Sequence, residues 1–230
     1  MALAQATIVR SSGPSAAANK VGSKLPEGAK IKLDTNDRVT VLGKSGTRVF
    51  VGPGTFVVGS NSSTQPRTRM ADFVSRKGAL ARVRAGAVRG PDQDDSTVPM
   101  AAPGVWLLEP ESEGRFCYNT TGRLIVWRAL SDTPGVAKIT APGWSYLVDL
   151  AWDAKSRIKA WPADEAPLDD GAVYSITAPE GGDPHQITIV RLDNPPDDAE
   201  ALFGVLMEKG CTAQAERMAD EAEASGEAEE

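Results

Sequence analysis

His185, the only histidine of the chain, is the first residue whose type could support chemistry. It follows Gly-Gly-Asp-Pro and stands two residues after Asp183, so a Ser-His-Asp triad would have to use it. The chain has no G-x-S-x-G motif to supply the activated serine of such a triad. We therefore interpret His185 as a turn residue beside a strand and predict no catalytic site.

Clustered acids are the other candidates for chemistry. Asp92, Asp94 and Asp95 could offer oxygen ligands to calcium, but the segment lacks the glycine and the distal glutamate of an EF-hand loop. The GPGT string at 52–55 lacks the lysine of a phosphate-binding loop. The sequence thus predicts no metal and no cofactor. A distant carboxylate pair for glycoside hydrolysis stays open, with no particular pair indicated.

Two cysteines, Cys117 and Cys211, occur without a C-x-x-C motif or histidine-containing metal spacing. They are either one long-range disulfide or two separate buried thiols. For an exported protein we favour the disulfide, because disulfides persist in oxidising compartments.

A cluster of positive charges gives the most suggestive surface. Its members are Arg67, Arg69, Arg76, Lys77, Arg82, Arg84 and Arg89, with Asp72 as the only acid among them. No aromatic residues alternate with these charges to stack bases, so we predict no nucleic-acid partner. We expect the cluster to bind an envelope protein, an anionic glycan or lipopolysaccharide, or this chain's own second domain.

The charge of the chain changes sign along its length. Residues 1–90 carry 15 Lys and Arg against 4 Asp and Glu, whereas residues 91–215 carry 9 against 20 and residues 216–230 carry 1 against 7. The balances are therefore +11, −11 and −6. Such an asymmetry indicates either a basic face for an anionic partner or two parts that attract each other.

Strands and turns account for most of the chain. Alternating runs at 38–42 and 47–51 around a glycine-containing loop predict a hairpin, with 38–42 half-buried as Val39 and Val41 share one face. Further strands at intervals of about ten residues are typical of a β-sandwich. We place them at 105–108, 115–118, 124–128, 136–140, 146–150, 158–161, 173–177 and 186–192.

All five tryptophans fall in or beside the predicted sandwich. They are Trp106, Trp127, Trp144, Trp152 and Trp161. We interpret them mainly as core and sheet-face packing, with a carbohydrate-stacking platform as the alternative. After them, Asp197 and Asp198 predict a helix start, and Gly210 divides the Ala- and Glu-rich segment that follows into two helices.

Five strings in the basic part resemble FecR-type domains. They are VRSSGP (9–14), VGSKL (21–25), LDTNDRVTVL (33–42), GTRVFVGPGTF (46–56) and RVRAGAVRG (82–90). This resemblance implies a β-rich periplasmic sensing domain of the kind found in iron-citrate regulators and in other exported Gram-negative proteins. The chain departs from those regulators because it shows neither their transmembrane helix nor their anti-sigma segment.

The predicted fold is mainly β: a FecR-like β domain followed by a β-sandwich-like domain with C-terminal helices. Met1 to Ala6 resembles the end of a signal peptide without its charged and apolar regions, and the alternative is an ordinary flexible N-terminus. We place a signal-peptide tail at 1–6, the FecR-like domain at 7–90, a linker at 91–104, the sandwich at 105–193, helices at 194–224 and a disordered acidic tail at 225–230.

These features predict a non-catalytic sensing or interaction module in the periplasm or at the cell surface. The alternative is a glycan-binding or glycan-active envelope protein that uses the Trp-rich sandwich, and a third reading is a structural subunit of an envelope assembly. The sequence leaves the ligand, the partner and the oligomeric state open.

Overall fold

The computed structural model describes residues 4–43, 46–59, 70, 73–74, 102, 104–130, 132–225 and 227–229. The chain is mainly β, with two helices near its C-terminus, as predicted. It divides into two compact units, one formed by residues 1–75 together with 196–230 and one formed by residues 76–195. No helix among the described residues is long and apolar enough to cross a bilayer.

Six strands from the N-terminal part of the first unit contribute to its sheets. They are β1 (Ala4–Ser12), β2 (Lys24–Pro26), β3 (Lys30–Leu33), β4 (Arg38–Gly43), β5 (Gly46–Val51) and β6 (Gly54–Val57). Strands β2, β1, β4 and β5 are antiparallel neighbours in one sheet, and β3 and β6 pair as a two-stranded sheet. Side chains of both sheets, including Ile8, Leu33, Val41 and Phe50, share one buried core. The predicted hairpin is β4–β5.

The C-terminal helices cover the opposite face of this larger sheet. Helix α1 (Ala199–Lys209) and helix α2 (Thr212–Ser225) both contact β1 and β4, and α2 also contacts β5. Asp198 caps α1 by accepting a hydrogen bond from the Ala201 amide, and Gly210 ends it at a φ of 75°. The predicted cap and the predicted break at Gly210 are therefore confirmed.

Two predictions about this region are wrong for one reason. Strand β4 is not half-buried, because Thr40 and Leu42 on its second face are buried as completely as Val39 and Val41. We also expected the C-terminal helices to close the sandwich as a separate segment, but they belong to the first unit. The apolar helix side, with Leu202, buries that second face, and the sheet becomes the middle layer.

The second unit is a two-layered β-sandwich. Its strands are β7 (Leu107–Leu108), β8 (Gly114–Asn119), β9 (Ile125–Trp127), β10 (Gly135–Thr140), β11 (Val148–Trp152), β12 (Ile158–Ala160), β13 (Val173–Thr177) and β14 (His185–Leu192). One sheet has the order β11-β10-β13-β14-β8 and the other the order β12-β9-β7, and a common core fills the space between them. Each of the eight predicted strands is present.

The segments before and after the sandwich differ from the prediction at their ends. Ala102, in the predicted linker, is buried in a small cluster with Leu107, Ile125 and Trp127. Within the predicted disordered tail, residues Glu227–Glu229 form strand β15, which pairs in parallel with β5. The outer edge of β5 offers unpaired backbone groups, and the terminal segment uses them.

Candidate functional site

The predicted basic cluster lies outside the residues that the structure describes. This applies to Arg67, Arg69, Arg76, Lys77, Arg82, Arg84 and Arg89, and likewise to the acidic segment with Asp92, Asp94 and Asp95. The role of the cluster as a binding surface therefore stays a prediction.

His185 is the first residue of β14 and pairs with a carboxylate. Its Nδ1 lies 3.1 Å from Oε1 of Glu113, and the Glu113 side chain is largely exposed. Within the described part of the chain, no group of three or more His, Cys, Asp or Glu side chains could hold a metal ion. This side-chain contact joins the start of β14 to the residue that precedes β8, which is a structural role.

Cys117 and Cys211, the two cysteines of the chain, are both disulfide-bonded, as predicted. The described residues contain no free cysteine. The alternative of two separate buried thiols is therefore wrong.

Three of the FecR-like strings meet at one end of the first unit, around the carboxylate of Asp37. The turn at Gly13 brings the Ser15 amide to 2.8 Å from Asp37 Oδ1, and the Ser15 hydroxyl also donates to this carboxylate. The Asp34 amide donates to it from the same turn. Gly52 completes the cluster, since its amide lies 2.9 Å from the Asp37 carbonyl oxygen.

Hydrogen bonding determines the charge state of this buried acid. Burial by itself raises the pKa of Asp37, but the bonds from the Ser15 hydroxyl and from the amides of Ser15 and Asp34 outweigh it and lower the pKa. The carboxylate stays ionised and holds two turns together. These polar residues of the strings that resemble FecR-type domains thus stabilise the fold.

Close backbone contact explains two glycines of these strings. A Cβ atom on Gly13 would lie 2.5 Å from both the Asn36 carbonyl oxygen and Asp37 Oδ1, and Gly13 has a φ of 97°. A Cβ atom on Gly52 would lie 2.2 Å from the Asp34 carbonyl oxygen. Any side chain at either position would push the turns apart.

Ion pairs attach the acidic helix α2 to the basic sheet. Glu223 accepts from Arg10 at 2.8 Å and from Arg38 at 2.5 Å, and Asp220 also binds Arg10. On α1, Glu200 accepts a hydrogen bond of 2.9 Å from the Thr7 hydroxyl. Part of the charge asymmetry of the sequence is therefore balanced inside the first unit, because acidic residues of the C-terminal segment pair with basic residues of the strands.

The ion pairs of Glu223 predict that acid loosens α2. Burial raises the pKa of Glu223, but the hydrogen bonds from Arg10 and Arg38 outweigh it and lower the pKa below its ordinary value. A carboxyl with a lowered folded-state pKa stabilises the fold above its unfolded-state pKa, and this contribution is lost as pH falls through the folded-state pKa. At pH 7 we expect Glu223→Gln to cost about 0.5–1 kcal/mol, since both arginines are partly exposed.

Hydrogen exchange of the α2 amides at pH 7 and at about pH 3, well below the ordinary pKa of a glutamate, measures this effect. The matched control is Glu216→Gln, which removes a charge from an exposed position of the same helix. The two variants should differ at pH 7 and converge in acid. Equal protection of α2 in both variants at pH 7 would contradict the assignment.

A groove runs between β1 and the two helices of the first unit. Its volume is about 440 Å³. The apolar lining residues are Val9, Val21, Phe203, Met207, Ala215 and Ala219, and Arg10, Glu216 and Asp220 are charged lining residues. Val21 is 44% exposed and Met207 is 38% exposed, although both are large and apolar. Because Asp220 and Glu223 already pair with Arg10, the groove is acidic on balance.

A second apolar surface lies on the loop between β10 and β11, where Trp144 and Tyr146 stack. Their ring centroids are 4.6 Å apart and their planes differ by 14°. Tyr146 is 52% exposed and the adjacent Leu147 is 57% exposed. We call these three residues the aromatic ledge.

Buried aromatic residues hold the aromatic ledge in place from below. Tyr174 makes edge contacts with Trp144 and with Trp161, at centroid distances of 5.8 and 5.2 Å. The Trp161 Nε1–H donates to the Ala166 carbonyl at 2.6 Å, and the Tyr174 hydroxyl donates to the Pro167 carbonyl. Burial, with smaller effects of Asp169 and Tyr146, raises the pKa of Tyr174, so its hydroxyl remains a donor at neutral pH.

Arg128 is a buried cation with a structural role. Its Nε donates to the Ser156 carbonyl at 2.7 Å and its Nη2 to the Asp153 carbonyl at 2.9 Å, and its guanidinium lies 5.8 Å from the Trp152 ring. These bonds tie the 153–156 turn to β9, and desolvation lowers the pKa of Arg128.

Sequence reasoning missed both surfaces. The prediction of a strand at 146–150 placed Tyr146 in a sheet, whereas β11 begins at Val148 and leaves Tyr146 and Leu147 on the loop. The Pro-Gly turn at 142–143 directly before Trp144 was the signal for a loop that presents an aromatic side chain. The groove had no local signal, because its two sides come from opposite ends of the chain.

Comparisons with known proteins identify no family. No family model, no curated protein and no solved structure matches this chain. The FecR-like assignment thus rests on the five strings of the sequence.

Proposed function

We propose that this protein is an exported, non-catalytic interaction module of the bacterial cell envelope. The groove between β1 and the helices is the observation that carries the proposal. Contiguous apolar surface rimmed by polar residues is typical of interaction sites, and the exposed Val21 and Met207 line this groove together with charged residues. The FecR-like strings and the disulfide support export, since disulfides persist in oxidising compartments.

The groove favours a peptide segment of an envelope protein as its partner. A floor of apolar side chains, among them Phe203 and Ala219, suits an extended or helical segment with apolar side chains. Glu216 and Asp220 favour a basic residue on that segment. The groove is the docking surface, and the ion pairs of Arg10 keep its helical side in place.

Site-specific photo-crosslinking in Gram-negative cells tests this function. The full chain is exported with a photoreactive amino acid at Met207 or at Val21, and at Lys32 as the control, which is exposed on β3 outside the groove. We expect both groove positions to give one discrete adduct with the same envelope protein, and Lys32 to give none. Glu216→Lys should lower the adduct yield at Met207 about fivefold, which corresponds to about 1 kcal/mol.

Crosslinking results and enzymatic assays can each contradict this function. Equal labelling from Lys32, or no adduct from either groove position, would refute the groove as a docking surface. Turnover of any compound by the purified chain would refute the non-catalytic assignment.

A further inference from the structure

The aromatic ledge of the second unit has the form of a ligand platform. Trp144 covers one face of the Tyr146 ring in a nearly parallel stack, and the 52% exposure of Tyr146 places its other face in solvent. The exposed face of this aromatic ring is apolar area that a bound ligand can cover. The platform is preorganised, because the contacts of Tyr174 with Trp144 and Trp161 fix the stack from the core.

A flat exposed ring suits a ligand with a flat apolar face and polar edges. A pyranose ring has this chemistry, since its axial C–H groups form an apolar face and its hydroxyl groups project from the rim. The hydroxyl group of Tyr146, at the rim of its own ring, can both donate a hydrogen bond to a sugar hydroxyl and accept one from it.

The charge of the sandwich argues against anionic ligands. Residues 104–195 carry 8 Lys and Arg against 13 Asp and Glu, a balance of −5. Nucleic acids, acidic polysaccharides and phosphorylated headgroups would be repelled by this field. A neutral sugar meets no such penalty.

We propose that the Trp144–Tyr146 ledge binds one ring of a neutral oligosaccharide, with the apolar face of the sugar stacked on the exposed face of Tyr146. This site is independent of the groove in the first unit, and either surface can fail its test without affecting the other. Each of the five tryptophans can now be assigned either to core packing or to the platform. Trp106, Trp127, Trp152 and Trp161 are buried in the core, whereas Trp144 supports the platform.

Isothermal titration calorimetry with the full chain tests the site. The probes are three neutral hexasaccharides, namely the α-1,4-linked and the β-1,4-linked glucose hexamers and the chitin hexamer. Hexagalacturonate is the anionic comparison. We expect at least one neutral probe to bind and the anionic probe to fail. Tyr146→Ala should weaken binding at least about tenfold, which is the effect of about 1.4 kcal/mol, whereas Tyr146→Phe should retain it within a few-fold because the ring remains.

A matched control separates the ledge from general surface effects. Val136→Ala trims another exposed apolar residue of the same sheet, 43% exposed, and should leave binding unchanged. Far-UV circular dichroism confirms that each variant is folded. Binding to none of the neutral probes, preference for the anionic probe, or equal affinity of Tyr146→Ala and the wild type would each overturn the proposal.

Discussion

Gly13→Ala is expected to destabilise the first unit by about 3–4 kcal/mol. Alanine at a φ of 97° is strained by about 1–2 kcal/mol. Its Cβ atom would also lie 2.5 Å from the Asn36 carbonyl oxygen and from Asp37 Oδ1, and forcing such a contact apart costs about 1–3 kcal/mol more. The displaced atoms belong to the turn whose carboxylate accepts three hydrogen bonds, so those bonds weaken as well.

Gly22→Ala is the matched control for this prediction. Gly22 has a similar φ of 83°, but nothing lies within 4 Å of the Cβ position, so the variant carries the strain without the collision. Hydrogen exchange of the amides in β1 and β4 reports the free energy of opening in the first unit, which contains no tryptophan or tyrosine for fluorescence. If the two variants lost equal stability, close contact at Gly13 would not be the reason for its glycine.

Trp161→Ala should destabilise the second unit by about 3–5 kcal/mol. The side chain is buried between the two sheets, and its removal leaves a cavity that the surrounding core fills only partly. The Ala166 carbonyl would also lose its 2.6 Å hydrogen bond from Nε1. Because Trp161 packs against Tyr174, which supports Trp144, the same variant should loosen the aromatic ledge.

Two variants separate these contributions. Trp161→Phe keeps most of the packing and loses the hydrogen bond, so it should cost about 1–2 kcal/mol. Trp144→Ala removes a half-buried ring and should cost less than half as much as Trp161→Ala. Urea unfolding followed by circular dichroism and by the remaining tryptophans measures all three. A loss below about 1 kcal/mol for Trp161→Ala would contradict the assignment of this residue to the core.

The strands were predictable because their signals are local. Alternation of β-branched residues gave the β4–β5 hairpin, and intervals of about ten residues gave the eight strands of the sandwich. The Asp198 cap and the Gly210 break likewise depend on a few neighbouring residues. At β11 only the predicted start was wrong. The residue types of the Tyr-Leu-Val run are compatible with a strand, but the strand begins at its third residue, Val148.

The candidate surfaces were harder to predict because each joins distant residues. Val9 and Met207 line one groove although almost 200 positions separate them. Sequence analysis favoured the basic cluster, a run of charges that is visible along the chain, and its role stays a prediction. The aromatic ledge was anticipated only as an undivided set of tryptophans, of which Trp144 alone contributes to the platform.

By itself the sequence determined the β-rich character, the turn positions and the helix ends, because such features follow from residue type and short-range spacing. Only the tertiary structure decided that α1 and α2 cover the second face of β4, that the Gly13 turn meets Asp37, and that Tyr146 stacks on Trp144 in solvent. Those outcomes depend on which apolar faces meet after the chain collapses, and residues far apart in sequence carry no local signal of their contact.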